Sequence, residues 1–147
     1  MNNLLSRRAI LVGIPLVLAA TTAAAGLFSR NLPEDLDLAL RRTTDASLYT
    51  VQIGPVDPEI RLRRMHDWTL DLTDSRGRPI DTAHIAIDGG MPQHGHGLPS
   101  APEVTQALGG GRFLIEGMKF NMRGWWEIDL IIDGPAGTDT ITFNIVL

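Results

Sequence analysis

From Leu48 to the C-terminus, apolar and polar residues alternate with a period of two. "LYTVQI" sets Tyr49, Val51 and Ile53 on one face. "MHDWTLDLTD" sets His66, Trp68, Leu70 and Leu72 against Asp67, Thr69 and Asp71. "PIDTAHIAID" groups Ala83, Ile85 and Ile87 and leaves His84 on the other side. Glu103 to Ala107 reads as a short edge strand ended by a glycine run, and "RFLIEG" contributes Phe113 and Ile115. "WWEIDLIID" alternates Trp126, Ile128, Leu130 and Ile132; "ITFNIVL" alternates Ile141, Phe143, Ile145 and Leu147. "DSRG" and "GPAGT" are turn signals. Short period-two runs divided by turns predict an all-β fold, an immunoglobulin-like antiparallel β-sandwich of about seven strands. Trp68, Trp126, Phe113 and Phe143 are expected in its core.

The pattern before Leu48 is different. "MNNLLSRRAILVGIPLVLAATTAAAGLFSR" carries Arg7 and Arg8, then no charge until Arg30. The uncharged stretch Ala9 to Phe28 has the length of a membrane-spanning helix. Ala23 to Ala25 also offer the small residues of a signal-peptide cleavage site. Residues 1–30 are therefore read as a signal peptide or a single transmembrane anchor, with the length favouring the anchor. "SRRAIL" resembles a twin-arginine export signal without its usual Phe and Lys. The basic flank places the chain beyond Phe28 outside the cytoplasm. The expected location is the periplasmic face of a bacterial inner membrane, or the periplasm if the segment is cleaved.

Residues 31–47 read as a connector containing a short helix. Asn31 would cap it, Pro33 suits its first turn, Glu34, Asp35 and Asp37 suit its positive end, and Leu36, Ala39 and Leu40 form a stripe. The sandwich domain is then 48–147.

Composition narrows the function. The chain is 44% hydrophobic and 20% charged, which suits a globular domain rather than a disordered one. Its net charge of −4 argues against a nucleic-acid partner. The lack of cysteine removes disulfides, thiolate metal sites and a cysteine nucleophile. No nucleophile elbow, phosphate loop, dinucleotide fingerprint or zinc-protease motif is present, so no enzymatic activity is expected.

One loop stands apart. "DGGMPQHGHGLPSAP" places Met91, His94 and His96 among glycines and prolines. Gly95 allows the backbone to turn until both imidazoles face one point. A thioether beside two imidazoles suits Cu(I), which tolerates low coordination; zinc more often takes four ligands including cysteine or carboxylate. The loop residues are expected to be exposed and to pack little. A second methionine pair, Met118 and Met122, lies in "GMKFNMRGWW". These two would stand roughly 13 Å apart on a straight strand, so only a bend at Gly117 or Gly124 lets this corner complete the set. Each methionine taken alone is more often core filler, and His66 and His84 read as hydrogen-bonded or surface histidines.

"MPQHGHGLPSAPEVT" followed by "LGGGRFLIEGMKFNMRGWWEIDLII" resembles the YtkA-like family. The resemblance covers about Met65 to Leu147. It rests on Met91, Pro92, His94, Gly95, His96 and Gly97, then on Phe120, Met122, Gly124 and Trp126, in that order. It implies a small exported or membrane-tethered β-sandwich connected with bacterial copper handling and respiratory-oxidase assembly. The expected function is an extracytoplasmic Cu(I) carrier or chaperone. Its expected partners are the membrane, through the N-terminal helix, and a respiratory or other copper-dependent membrane complex. The alternative is a non-catalytic interaction module of such a complex, with its His-Gly-His loop and Trp125 face touching a partner.

Overall fold

Alternation in the sequence becomes alternation of burial in the computed structural model, which describes residues 32–147. The signal or anchor segment expected over 1–30 lies outside the described residues. Nine strands form: β1 (Arg41–Thr43), β2 (Tyr49–Pro55), β3 (Met65–Asp74), β4 (His84–Met91), β5 (His96–Gly97), β6 (Glu103–Gly109), β7 (Arg112–Lys119), β8 (Trp125–Gly134) and β9 (Gly137–Val146). Every run expected as a strand appears, as β2, β3, β4 and β6 to β9. The very short β1 and β5 are additions. One sheet has the order β1-β2-β3-β7-β6 and the other β5-β4-β8-β9, all neighbours antiparallel.

The two inner faces share one core. Val51 and Ile53 of β2 meet Trp68, Leu70 and Leu72 of β3, and the second sheet supplies Trp126, Ile128, Leu130, Ile141 and Phe143. Trp68, Trp126, Phe113 and Phe143 are all buried. Glu103 to Gly109 is an edge strand, as the sequence implies.

The connector helix expected within 31–47 does not form; no residue from 32 to 47 is helical. A turn covers Glu34 and Asp35, and Arg41–Thr43 joins the first sheet as β1. A helix of two turns is marginal without packing support, whereas the edge of β2 offers backbone partners. The Ile53 N–H donates to the Leu40 carbonyl at 2.9 Å. The Arg42 guanidinium donates to the Thr142 carbonyl of β9 and pairs with Asp37 at 3.0 Å. The Asn144 amide donates to the Asp37 carbonyl, and the Asp45 N–H donates to the Thr140 carbonyl, each at 2.9 Å. Residues 37–45 thus form a strap from the first sheet to the free edge of β9, an edge that would otherwise present unpaired backbone groups.

Register sorts the connections into two poles. Pro55 opposite Trp68, Met65 opposite Lys119, Met91 opposite His96 and Trp125 opposite Val146 put the 56–64, 92–95 and 120–124 segments at one end. Tyr49 opposite Asp74 and Gly134 opposite Gly137 mark the other end. There the Tyr49 hydroxyl donates to the Gly137 carbonyl at 2.6 Å and accepts from the Ala136 N–H at 3.0 Å, joining the sheets. Buried Asp139 accepts from the N–H groups of Ala46 (2.9 Å), Leu48 (3.1 Å) and Thr140 (2.8 Å). Burial alone would raise its pKa, but hydrogen bonds from Thr44, Ala46, Leu48 and Thr140 outweigh that and lower it to about 2.

Among the described residues, no helix is long and apolar enough to cross a membrane.

Candidate metal centre

The histidine loop is a tight hairpin that depends on paired glycines. A Cβ on Gly90 would stand 2.4 Å from the His96 carbonyl oxygen, and one on Gly89 would stand 2.2 Å from the Glu127 carbonyl oxygen. Without side chains at these positions, β5 folds back onto β4, with Gly90 opposite Gly97 and Met91 opposite His96. The Met91 carbonyl accepts from the N–H groups of His94 (3.0 Å) and Gly95 (2.9 Å). Gly95, at φ 65°, supplies the left-handed step.

This turn brings the two histidines together. Their rings stack with centroids 5.9 Å apart and planes 24° from parallel, and both residues are exposed. His96 Nδ1 lies 3.1 Å from the Gly97 carbonyl. A carbonyl only accepts, so Nδ1 carries the proton in that bond, and in a neutral ring the lone pair is then on Nε2. A ring held through one nitrogen, with the other left for a ligand, is how metal-binding imidazoles are commonly oriented.

The methionines divide three ways. Met91 is buried at 1% exposure, against the expectation that loop residues are exposed and pack little. Its methyl group lies 2.8 Å from where a Cβ on Gly124 would stand, so the 120–124 segment covers it. Met118 is also 1% exposed and faces the interior from β7, opposite His66 of β3. Met122 is 41% exposed, and its carbonyl accepts from the Trp126 indole N–H at 3.2 Å.

Trp126 is the joint between loop and corner. Its ring makes T-shaped contacts with His96, at a centroid separation of 5.9 Å, and with Phe120, at 5.3 Å. The structure therefore brings Met91, His94, His96 and the backbone of Met122 to one pole, and sends the Met118 side chain into the core.

Two other histidines stay apart. His66 Nε2 is 2.8 Å from the Arg61 carbonyl and 3.2 Å from its N–H, a hydrogen-bonded histidine at the core edge. His84 is exposed, opposite Asp133. Trp125 donates its indole N–H to Asn144 at 2.9 Å.

Sequence reasoning overlooks Glu127. It stands opposite Gly90 on β8 and lines a shallow cleft of about 260 Å³ with Met91, His96 and Gly97. Burial, then the nearby charge of Asp129, raises its pKa. Only the β4–β8 register sets this carboxyl beside the loop.

Among the described residues, no three of His, Cys, Asp and Glu gather as a metal site. The donors this pole gathers are the imidazoles of His94 and His96 and the thioethers of Met91 and Met122. That donor chemistry fits a soft, low-coordinate ion and is poor for zinc or calcium.

No curated protein matches the chain at a significant level. A family model described as YtkA-like matches residues 45–130, which contain β2 to β7, the histidine hairpin, the methionine corner and the start of β8. With more than half of its length matched, the chain belongs to the YtkA-like family.

Proposed function

We propose that this protein binds copper outside the cytoplasm and carries it as Cu(I) towards a copper-dependent membrane complex, such as a respiratory oxidase under assembly. One observation carries the reading: the His94 and His96 rings stack on the hairpin that pairs His96 with Met91, and Trp126 ties that hairpin to the Met122 corner. His94 and His96 would supply nitrogen, Met91 sulfur, and Met122 a second sulfur after a side-chain rotation. Thioether and imidazole ligation stabilises the reduced ion. Buried Met118 packs in the core in this reading and is the weakest member of the expected set. The uncharged stretch behind Arg7 and Arg8 supports an exported or anchored location.

Exposed imidazoles on a hairpin suit a carrier that receives and releases its ion. Affinity falls on acidification, because each imidazole must lose its proton to bind. Titration with Cu(I) against a competing chelator tests the reading. One saturable site, lost when both His94 and His96 are replaced by Gln, is expected. Binding unaffected by that double replacement would refute it and leave the hairpin as a contact surface.

A further inference from the structure

The pole that carries the histidine hairpin also gathers the exposed apolar side chains. Leu38, Leu40, Val56, Met65, Met122 and Val146 are exposed there; Leu32 leads into it, and Leu108 and Ile131 lie elsewhere. Leu38, Leu40, Ile60, Trp68, Val146 and Leu147 line an apolar groove of about 270 Å³. Soluble surfaces seldom concentrate apolar side chains in this way without a partner.

Cations frame the same patch. Ile60 and Leu62 pack against the core and turn Arg61, Arg63 and Arg64 outward. Arg63 is held at φ 64°, its N–H donating to the Phe120 carbonyl at 2.7 Å. Lys119 stands opposite Met65, and Arg123 follows Met122. Arg42, Arg61, Arg78 and Arg112 each pair with a carboxylate, whereas Arg63, Arg64, Lys119 and Arg123 have none within reach among the described residues. Asp57 and Asp67 share the rim, and Glu34, Asp35 and Asp37 lie on the incoming chain. Net attraction for anions is therefore modest, and apolar burial contributes more than charge does.

The path of the chain identifies the occupant. β1 runs antiparallel to β2, with Arg41 opposite Gln52 and Thr43 opposite Thr50, so the residues before Arg41 arrive from this pole. The apolar stretch ending at Phe28 lies ten residues before Leu38. Ten residues reach at most about 35 Å. We infer that this pole rests on a lipid bilayer, with Leu38, Leu40, Val56, Met65 and Val146 in the interfacial layer and Arg63, Arg64, Lys119 and Arg123 against headgroup phosphates. Interspersed apolar and cationic side chains are the mark of an interfacial surface. The inference rests on the reading of residues 9–28 as an anchor, and it places the copper hairpin at the membrane surface.

The absence of cysteine allows a clean test, because a single introduced cysteine labels uniquely. Met65→Cys and Arg64→Cys report on this pole, and Arg76→Cys on the exposed turn at the other. Each full-length, metal-free chain is labelled with a fluorophore and placed in nanodiscs of phosphatidylcholine or phosphatidylglycerol, with or without brominated acyl chains. Brominated lipid is expected to quench the labels at 64 and 65 by about twofold or more and to spare the label at 76. Replacing Arg63, Arg64, Lys119 and Arg123 together by Gln should weaken quenching in phosphatidylglycerol and leave phosphatidylcholine unchanged. If the labels at 64 and 65 are as unquenched as the label at 76, the inference is overturned, and the patch serves a protein partner or solvent. Unchanged quenching in the fourfold variant overturns the headgroup contacts. A chain that does not enter the discs fails the anchor reading instead. Mixed with preformed phosphatidylglycerol vesicles, it then supports the lipid face if the labels at 64 and 65 are quenched and overturns it if they are not.

Discussion

The two poles of this sandwich are built by opposite rules. At the Tyr49 pole, polar groups are used up internally: the Tyr49 hydroxyl bridges Gly137 and Ala136, and Asp139 collects backbone N–H groups from Ala46 and Leu48 of the β1–β2 connection and from Thr140 of β9. At the His94 pole, imidazoles, cations, two methionines (Met65 and Met122) and two leucines (Leu38 and Leu40) are left facing outward. One end contributes stability and the other holds its chemistry available. Trp126 lies between these regimes, buried in the core and in T-shaped contact with the His96 ring.

Trp126→Ala should therefore have the largest effect, because it removes core volume and the joint of the hairpin together. A loss of about 3–5 kcal/mol in urea unfolding is expected. A small loss would mean that the hairpin and corner are positioned independently of this ring.

Asp139→Asn attacks the opposite pole. The native carboxyl has a pKa of about 2, below its unfolded value. The stability it adds is fully present above the unfolded pKa of about 4 and is lost as pH falls from there through about 2. The replacement should lower stability by about 2 kcal/mol at pH 7, and the difference should shrink towards pH 2. Copper affinity should not change. A pH-independent effect would assign the loss to packing rather than to the ionised carboxylate.

Gly90→Ala should disturb the histidine-hairpin pole alone. Its methyl group would meet the His96 carbonyl oxygen at 2.4 Å, backbone that cannot swing aside. We expect about 1–3 kcal/mol of destabilisation and a measurable drop in Cu(I) affinity without removal of any donor atom. Intact affinity would show that the stacked ring geometry is dispensable.

The smallest stability effects belong to the exposed residues proposed as ligands. Met122→Leu should cost less than about 1.5 kcal/mol and weaken Cu(I) while sparing Cu(II), since thioether is a soft ligand. His94→Gln should leave stability within about 0.5 kcal/mol and weaken both ions. Equal loss of both ions in Met122→Leu would point to a moved loop rather than a lost sulfur.

Period-two alternation makes the longer strands other than the exposed edge strand β6 legible, because each buries one face and the pattern recurs within a single run. It fails for β1 and β5, which are too short to show a period. Residues 31–47 mislead because acidic residues followed by Leu36, Ala39 and Leu40 fit a helix start equally well, and the partners that decide otherwise, Thr142 and Asn144, lie far along the chain. The histidine hairpin is legible from its glycines. The burial of Met91 is not, since the segment that covers it comes some thirty residues later and meets it only through Gly124. Glu127 is invisible for the same reason: strand register, not local sequence, sets it opposite Gly90.

The strap also has a kinetic meaning. Arg42 and Thr142 are 100 residues apart, so their bond closes a very long loop and rewards the chain only after both sheets exist. Contacts made that late are absent from the folding transition state and act on unfolding instead. Arg42→Gln should speed unfolding and leave the refolding rate nearly unchanged, a split that stopped-flow measurements resolve. The strap would then govern the lifetime of the native state and have little part in how quickly that state is reached.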